Sequence, residues 1–205
     1  VNPRLLVGLL LAVLAAHMLH YGICTQDDAF ISFRYAANLI GGDGLVYNAG
    51  EPVEGYTNFL WTVLLAGAMA IGLNPVVASV LGGLIAARAL ALAGWRLATA
   101  LIDRPWVGLL VPAFVVMDAG LALEGMQGLE TLLYAALLAW ALVLTHDELG
   151  DPDAPPRSAV LLALAALTRP EGAVVFAGIG LARLLMARKL ERRLLVGLGI
   201  VAVVV

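Results

Sequence analysis

Long apolar runs separated by short polar stretches set the organisation of this chain. The runs are continuous rather than alternating, which is typical of helices that satisfy their own backbone inside a membrane. They predict six crossings and the start of a seventh: Leu5–Ile23, Val76–Leu101, Trp106–Asp118, Leu132–Leu144, Ser158–Leu167, Ala173–Met186 and Leu194–Val205. We therefore expect an all-α integral membrane protein.

The longest polar run, Thr25–Asn58, follows the first apolar segment. Thr25 with Asp28 three residues later predicts a capping box that opens a helix. The apolar positions of that helix recur at helical spacing and predict a face that rests on the membrane surface: Phe30, Phe33, Ala37 and Ile40. A glycine-rich stretch then ends the helix at residues 41–44.

The short apolar segment Phe59–Leu73 is compatible with a crossing or with a helix at the membrane interface. Lysine and arginine collect in cytoplasmic loops. If Phe59–Leu73 is interfacial, only Arg34 and Arg169 lie outside and the basic cluster at 188–193 lies inside. If it crosses, every later loop changes side and the basic cluster lies outside. The charges favour the interfacial arrangement, which gathers the loops at 25–58, 124–130 and 169–171 on one outer face.

The first apolar segment predicts a membrane anchor, and the last one indicates that the chain is part of a longer protein. Leu5–Ile23 is long for a signal-peptide core and no small-residue cleavage motif follows it, so we expect an uncleaved anchor. The chain ends in an apolar run, so we expect one module over residues 1–205 that belongs to a longer protein.

Composition narrows the class of partner. Hydrophobic residues make up 62% of the 205 residues and charged residues 13%, against about 25% charged in soluble domains. A net charge of −3 predicts no nucleic-acid partner, and the single cysteine excludes an internal disulfide. Two adjacent acids without a histidine cluster are weak evidence for a metal site, so no residue is assigned as a metal ligand.

The outer loops carry the candidate chemistry. Asp27 and Asp28 are adjacent carboxylates that suit a general base, and Arg34 and Arg169 suit a phosphate. We prefer Asp27 as the base because the capping box would use Asp28. Structural roles stay open: the acids can cap the helix or favour its positive end, Arg34 can reach towards lipid headgroups, and residues 169–171 can form an ordinary turn with a local ion pair.

Five motifs resemble those of the GT-C superfamily of membrane glycosyltransferases. They are Asp27-Asp28-Ala-Phe-Ile-Ser-Phe-Arg-Tyr-Ala, Gly44-Leu-Val-Tyr-Asn-Ala-Gly-Glu, Val53-Glu-Gly-Tyr-Thr-Asn, Gly128-Leu-Glu-Thr and Leu167-Thr-Arg-Pro-Glu-Gly. Within the superfamily, the chain is similar to the actinobacterial terminal β-(1→2) arabinofuranosyltransferases and their bacterial relatives. The resemblance covers essentially the whole chain.

The resemblance implies a GT-C-type transmembrane helical module with juxtamembrane helices in the first outer loop, residues 24–75. It implies inverting transfer of a sugar from a polyprenyl-phosphate donor to an acceptor hydroxyl outside the cytoplasmic (inner) membrane, with the acceptor, glycan or protein, left open. Asp27 and Asp28 would supply the catalytic base. The donor site would comprise Arg34, Glu54, Tyr56, Asn58, Glu130, Arg169 and Glu171. No cofactor is demanded, and a divalent cation could bridge the acids and the phosphate.

Two other functions compete with the transferase. A degenerate module of this kind could act as a structural subunit of a larger membrane complex. A transporter of lipid-linked sugars would carry charged groups inside its crossings, near mid-membrane. Only Arg88 has such a position, and the intact polar motifs disfavour a purely structural module.

From the charge distribution we predict that position 74 is outside the membrane and position 190 inside. With Cys24 replaced by Ser, Asn74→Cys in intact cells should react with a membrane-impermeant maleimide. Leu190→Cys should react only after the membrane is opened. The reverse labelling would contradict the arrangement and with it the shared outer face.

Overall fold

The computed structural model describes residues 2–102, 104–151 and 154–187, and the regular structure of these ranges is helical throughout. The all-α prediction is therefore confirmed for the described part of the chain. The helices in chain order are α1 Pro3–Tyr21, α2 Asp27–Gly41, α3 Phe59–Ala70, α4 Pro75–Ile102, α5 Pro105–Gly108, α6 Leu110–Met117, α7 Ala119–Glu124, α8 Thr131–Gly150, α9 Arg157–Thr168 and α10 Glu171–Ala187.

Three of these helices, α1, α4 and α8, are long and apolar enough to cross a membrane. The other predicted crossings are shorter: α9 has 12 residues and α10 has 17, against about 20 for a spanning helix. The described residues therefore support membrane association through three candidate spans rather than six. The final apolar run and the basic cluster Arg188, Lys189, Arg192 and Arg193 lie outside the described residues.

The predicted crossing at Trp106–Asp118 is divided into α5 and α6. Pro112 lies in the first turn of α6, where its missing N–H leaves no hydrogen bond unmade. The same proline disfavours a helix that continues unbroken from α5, because its ring clashes with the carbonyl four residues earlier. A continuous apolar pattern hid this break.

Helix α3 has 12 residues, so it is about 18 Å long, which is shorter than a membrane's hydrocarbon core of about 30 Å. Its buried side chains Trp61 and Leu65 pack with Phe33 of α2 and Ala78 of α4 in one apolar cluster. The length agrees with an interfacial helix, and its position relative to the membrane stays a prediction.

Helix α4 is the centre of the fold, since it contacts α1, α3, α5, α6, α7 and α8. Its buried positions are mainly small residues, which allow helices to approach closely in an apolar setting. The approach is tightest at Gly83, where a Cβ would overlap the carbonyl of Gly125. This contact lets the segment before α8 lie directly on α4.

The start of α2 differs from the sequence prediction. The helix begins at Asp27, its N-cap residue is Gln26 without a side-chain cap bond, and the hydroxyl of Thr25 has no partner among the described atoms. The predicted capping box of Thr25 and Asp28 is therefore wrong. The reason is tertiary: the N–H groups of Cys24 and Gln26 donate to the carbonyls of residues 126 and 127, so Gln26 stays extended and the helix starts one residue later than predicted.

The residues of α2 that were predicted to form one membrane-facing stripe also differ in exposure. Phe33 is buried against α3, whereas Phe30 and Ile40 are exposed. The positions that α2 buries are Ala29, Ser32, Phe33, Tyr35 and Ala36. The contact face of α2 is therefore rotated from the predicted stripe towards its smaller and more polar residues.

Gly83→Ala tests the close approach of α4. The added methyl group meets backbone rather than a movable side chain, so we expect a loss of about 1–3 kcal/mol, seen as a lower melting temperature in detergent. Gly67→Ala is the matched control, because Gly67 is an exposed helical glycine whose Cβ would meet nothing within 4 Å. The control should be stabilised by up to about 1 kcal/mol. Equal melting temperatures for the two variants would contradict the packing.

Candidate functional site

The candidate site is built around Glu130, the residue immediately before α8. Glu130 is buried, and its Oε2 accepts a hydrogen bond of 2.9 Å from Asn58 Nδ2. Its Oε1 lies 3.7 Å from Nη1 of Arg169. One carboxylate thereby joins the start of α3 to the turn between α9 and α10. Residues 58, 130 and 169, which come from the three predicted outer loops, thus meet at this point, whereas the common position of the loops outside the membrane stays a prediction.

Asn58 extends the contact of Glu130 into a buried polar network of Ser32, Asn58, Thr62 and Glu130. Asn58 Nδ2 also donates to Ser32 Oγ at 2.9 Å, and Asn58 Oδ1 accepts from Thr62 Oγ1 at 3.1 Å. All four residues are buried, where polar groups need partners to avoid an unmatched loss of water. The network fixes α2 and α3 against the start of α8.

Arg169 is held between two carboxylates of different exposure. Its Nη1 faces Glu130, and its Nε lies 3.7 Å from Oε2 of Glu171. The side chain of Glu130 is 12% exposed and that of Glu171 65% exposed. Ion pairs in water contribute little, and buried carboxylates depend on their partners. Glu130 is therefore the fixed partner, and an anion can replace Glu171 on the guanidinium.

The tight turn that carries Arg169 depends on Gly172. A Cβ at Gly172 would lie 2.6 Å from backbone atoms of Ala165 and Ala166 in α9, so any larger residue there would overlap that helix. Helix α10 therefore starts directly against the end of α9. In this turn Arg169 lies within 3.7 Å of Glu130, the residue before α8.

Asp27 and Asp28 form the first turn of α2, and both are exposed. The backbone just before these two acids is hydrogen-bonded to residues 126 and 127. Gly128, which follows residue 127, has φ +87°, and a Cβ on it would touch Ala29 of α2. Only glycine adopts that backbone angle at little cost. The acids consequently sit at the start of a helix that is held against the segment leading to Glu130. The positive end of α2 favours both.

The absent capping box changes the choice between the two acids. Asp27 was preferred as the base because the capping box would have used Asp28. Without the capping box, that reason no longer applies. Neither acid caps α2 through its side chain, so the favourable interaction with the helix end is the structural alternative that remains.

Arg34 belongs to a different group from Arg169. Its Nε donates to the carbonyl of Tyr47 at 3.1 Å, and its guanidinium lies 6.0 Å from the centre of the Tyr47 ring. Asn38 Nδ2 donates to the same carbonyl at 2.9 Å. These bonds hold the segment 44–51 on α2, and no contact among the described residues joins the two arginines.

Tyr56 and Glu54 lie on the same loop. The ring of Tyr56 packs against Tyr35, with ring centres 4.7 Å apart. Burial, and then the charge of Glu54 and the neighbouring Tyr35, raise the pKa of Tyr56 above its usual 10.0. Its hydroxyl therefore stays protonated at neutral pH and can donate a hydrogen bond. Glu54 itself is exposed.

Sequence reasoning missed three residues that shape the site: Ser32, Thr62 and Trp61. Thr62 lies four residues after Asn58, and Ser32 is a polar residue within the contact face of α2, so helical spacing was an available signal for both. Trp61 donates its indole N–H to the carbonyl of Gly128 at 3.1 Å. No local pattern indicated that bond.

An apolar cavity begins beside the buried polar network. It has a volume of about 660 Å³ and lies between α3, α4, α8 and α9, with Trp61 and Leu65 at one part and Trp140 at another. Trp140 is fixed by a hydrogen bond of 2.9 Å to the carbonyl of Ala89. Within the described ranges, no group of three or more His, Cys, Asp or Glu residues is placed to hold a metal ion.

Comparison with known proteins gives one relative. No family model and no solved structure matches the chain. The chain is 32% identical to a terminal β-(1→2)-arabinofuranosyltransferase of Mycobacterium tuberculosis (strain ATCC 25618 / H37Rv), over 82% of this chain and 29% of the relative. It thus spans under a third of that protein's length. The similarity supports a glycosyltransferase role in general terms.

Asn58→Ala tests the buried polar network. The change removes the donor to Glu130 and leaves a buried carboxylate oxygen unmatched, so we expect a loss of about 1–3 kcal/mol. Asn48→Ala is the control, because Asn48 is exposed and bonded to the exposed Glu51, and it should change stability by under about 0.5 kcal/mol. Thermal unfolding in detergent measures both. A stable Asn58→Ala protein would show that the network does not hold the site together.

Proposed function

We propose that the chain is a GT-C-type module of a membrane glycosyltransferase, which moves a sugar from a polyprenyl-phosphate donor to a hydroxyl acceptor outside the cytoplasmic membrane. The observation that carries the proposal is the placement of two exposed carboxylates, Asp27 and Asp28, on a helix held against the segment that leads to Glu130, the partner of Arg169. The similarity to a glycosyltransferase supports the reaction class.

The donor would be bound through its phosphate and its lipid chain. Arg169 offers a guanidinium whose exposed partner, Glu171, an anion can displace. The apolar cavity starts at Trp61, one residue before Thr62 of the buried polar network, and provides space for a hydrocarbon chain. The three candidate spans are consistent with a protein that meets its donor in the membrane. A divalent cation could help to neutralise the phosphate.

The reaction needs one base and a leaving group. The acceptor oxygen attacks the anomeric carbon on the side opposite the phosphate. The new carbon–oxygen bond forms while the bond from the anomeric carbon to the phosphate oxygen breaks, and the bonding electrons leave with the phosphate. The hydroxyl proton passes to Asp27 or Asp28. A single displacement inverts the anomeric configuration.

The other residues predicted for the donor site have different roles in this proposal. Glu130 and Asn58 orient Arg169 from inside the protein. Tyr56 is a protonated hydrogen-bond donor near the loop surface, and Glu54 lies beside it. Arg34 holds the loop on α2 and, from its contacts, is better explained as a support of that loop than as a phosphate ligand.

The experiment replaces each acid in the full-length protein. Asp27→Asn and Asp28→Asn should leave the melting temperature nearly unchanged, since neither side chain caps α2. At least one of them should lower sugar transfer by about 10²–10⁴-fold through loss of the base. A polyprenyl-phosphate arabinofuranose is the first donor to test, because the relative's name specifies arabinofuranosyl transfer.

Asp43→Asn is the matched control for this pair. Asp43 is an exposed aspartate of the same outer loop, just beyond the end of α2, and its replacement should leave transfer unchanged. Full transfer by both Asp27→Asn and Asp28→Asn would contradict a catalytic role and leave the acids as favourable charges at a helix end.

A further inference from the structure

The segment Gly44–Glu51 has no role in the donor site, yet it forms one wall of a separate cavity. The cavity has a volume of about 350 Å³ and lies between this segment, Val53 and Gly55 of the same loop, and two residues of α2, Ile31 and Tyr35. Its volume is at the lower end of small-ligand sites, about 300–1,000 Å³. Its size therefore suits the end of a glycan.

The cavity is built on a fixed floor. Tyr35 is buried, and its hydroxyl donates to the carbonyl of Val53 at 2.8 Å and accepts from the N–H of Gly55 at 2.8 Å. Arg34 and Asn38 bind the carbonyl of Tyr47 from α2. The loop is thereby tied to the helix on both sides of the cavity, so the cavity does not depend on a loose loop.

The lining has the chemistry of a sugar site. Tyr47 is 45% exposed and supplies an aromatic ring, on which the apolar face of a sugar can pack. Asn48 and Glu51 are exposed on the rim, and Asn48 Nδ2 donates to Glu51 Oε2 at 3.0 Å. The second oxygen of Glu51 and the side-chain carbonyl of Asn48 can accept hydrogen bonds from sugar hydroxyls.

The charge of the lining separates acceptor from donor. Glu51 lines the cavity, and neither arginine of the outer loops does so among the residues that form it. Arg34 is near but is not a lining residue, and its guanidinium is bound to the Tyr47 carbonyl and lies 6.0 Å from the centre of the Tyr47 ring. The charged group of the lining is therefore the Glu51 carboxylate, which repels a phosphate and accepts hydrogen bonds from hydroxyl groups. The cavity thus favours a neutral, hydroxyl-rich ligand over the anionic donor.

The cavity also lies next to the acids. Ile31 is four residues after Asp27 and three after Asp28, so both carboxylates are one helical turn from the cavity on the same side of α2. The Cβ atoms of residues at these spacings lie about 5–6 Å apart. A hydroxyl of a bound sugar can therefore reach Asp27 or Asp28.

We propose that this cavity, walled by Tyr47, Asn48 and Glu51 and floored by Ile31 and Tyr35, binds the terminal neutral sugar of the acceptor and presents its hydroxyl to the acidic pair. The inference rests on the proposed function, because it assigns the acceptor side of the same reaction. It names the class of acceptor as a glycan end rather than a protein side chain.

Binding to the full-length protein is the direct test. The probes are a neutral pentofuranose disaccharide and a neutral hexopyranose disaccharide, each measured by saturation-transfer NMR and titration, with inorganic phosphate as competitor. Wild-type protein should bind at least one disaccharide, and phosphate should not displace it. Tyr47→Ala and Glu51→Ala should each weaken binding about tenfold, and Tyr47→Phe should retain it.

Tyr21→Ala is the matched control, since Tyr21 is 40% exposed and lies at the end of α1, outside the cavity. In the transfer assay, Glu51→Ala should raise KM for the acceptor and leave KM for the donor unchanged. A Tyr47→Ala protein that fails to fold leaves Glu51→Ala as the decisive variant, because Glu51 is exposed on the rim.

The outcomes distinguish this inference from the proposed function. Disaccharide binding that depends on Tyr47 and Glu51 in a protein without transferase activity would support the sugar site and contradict the proposed reaction. Absence of binding to both disaccharides, binding unaffected by Glu51→Ala, displacement by phosphate, or a change in donor KM alone would overturn the inference.

Discussion

The need to satisfy one buried carboxylate organises the outer part of this protein. Glu130 is buried before the start of α8, where an unpaired charge would be costly, and it is matched by Asn58 on one side and Arg169 on the other. These partners lie 72 and 39 positions away along the chain. Their pairing therefore requires α3, α8 and the α9–α10 turn to meet. The site follows from that meeting.

Apolar patterning predicted the helices that have strong local signals. Helices α1, α4 and α8 come from long apolar runs, and α3 was recognised as a short helix of a different kind. The predictions failed where tertiary contacts outweighed local signals. Thr25 has capping chemistry, but residues 24–26 pair with 126–127 and delay the helix. Likewise, apolarity alone did not show that α5 and α6 are separate.

The residues that meet around Glu130 were named from the sequence, but their connections were harder to predict. Glu130, Arg169 and Asn58 were all named from motifs, and the structure brings them together. Arg34 was grouped with them because it is cationic, whereas it is bound to the Tyr47 carbonyl. Hydrogen-bond partners across such separations depend on close helix packing at glycines such as Gly83. Composition and spacing contain no information on that packing.

The most direct test of the account is a structure of the full-length protein with an unreactive polyprenyl-phosphate sugar analogue. The account predicts a phosphate oxygen about 3 Å from the guanidinium of Arg169, with Glu171 displaced, Glu130 still paired, and the anomeric carbon facing Asp27 or Asp28. A phosphate bound to other residues, with Arg169 still between Glu130 and Glu171 and both acids turned away from the sugar, would contradict it.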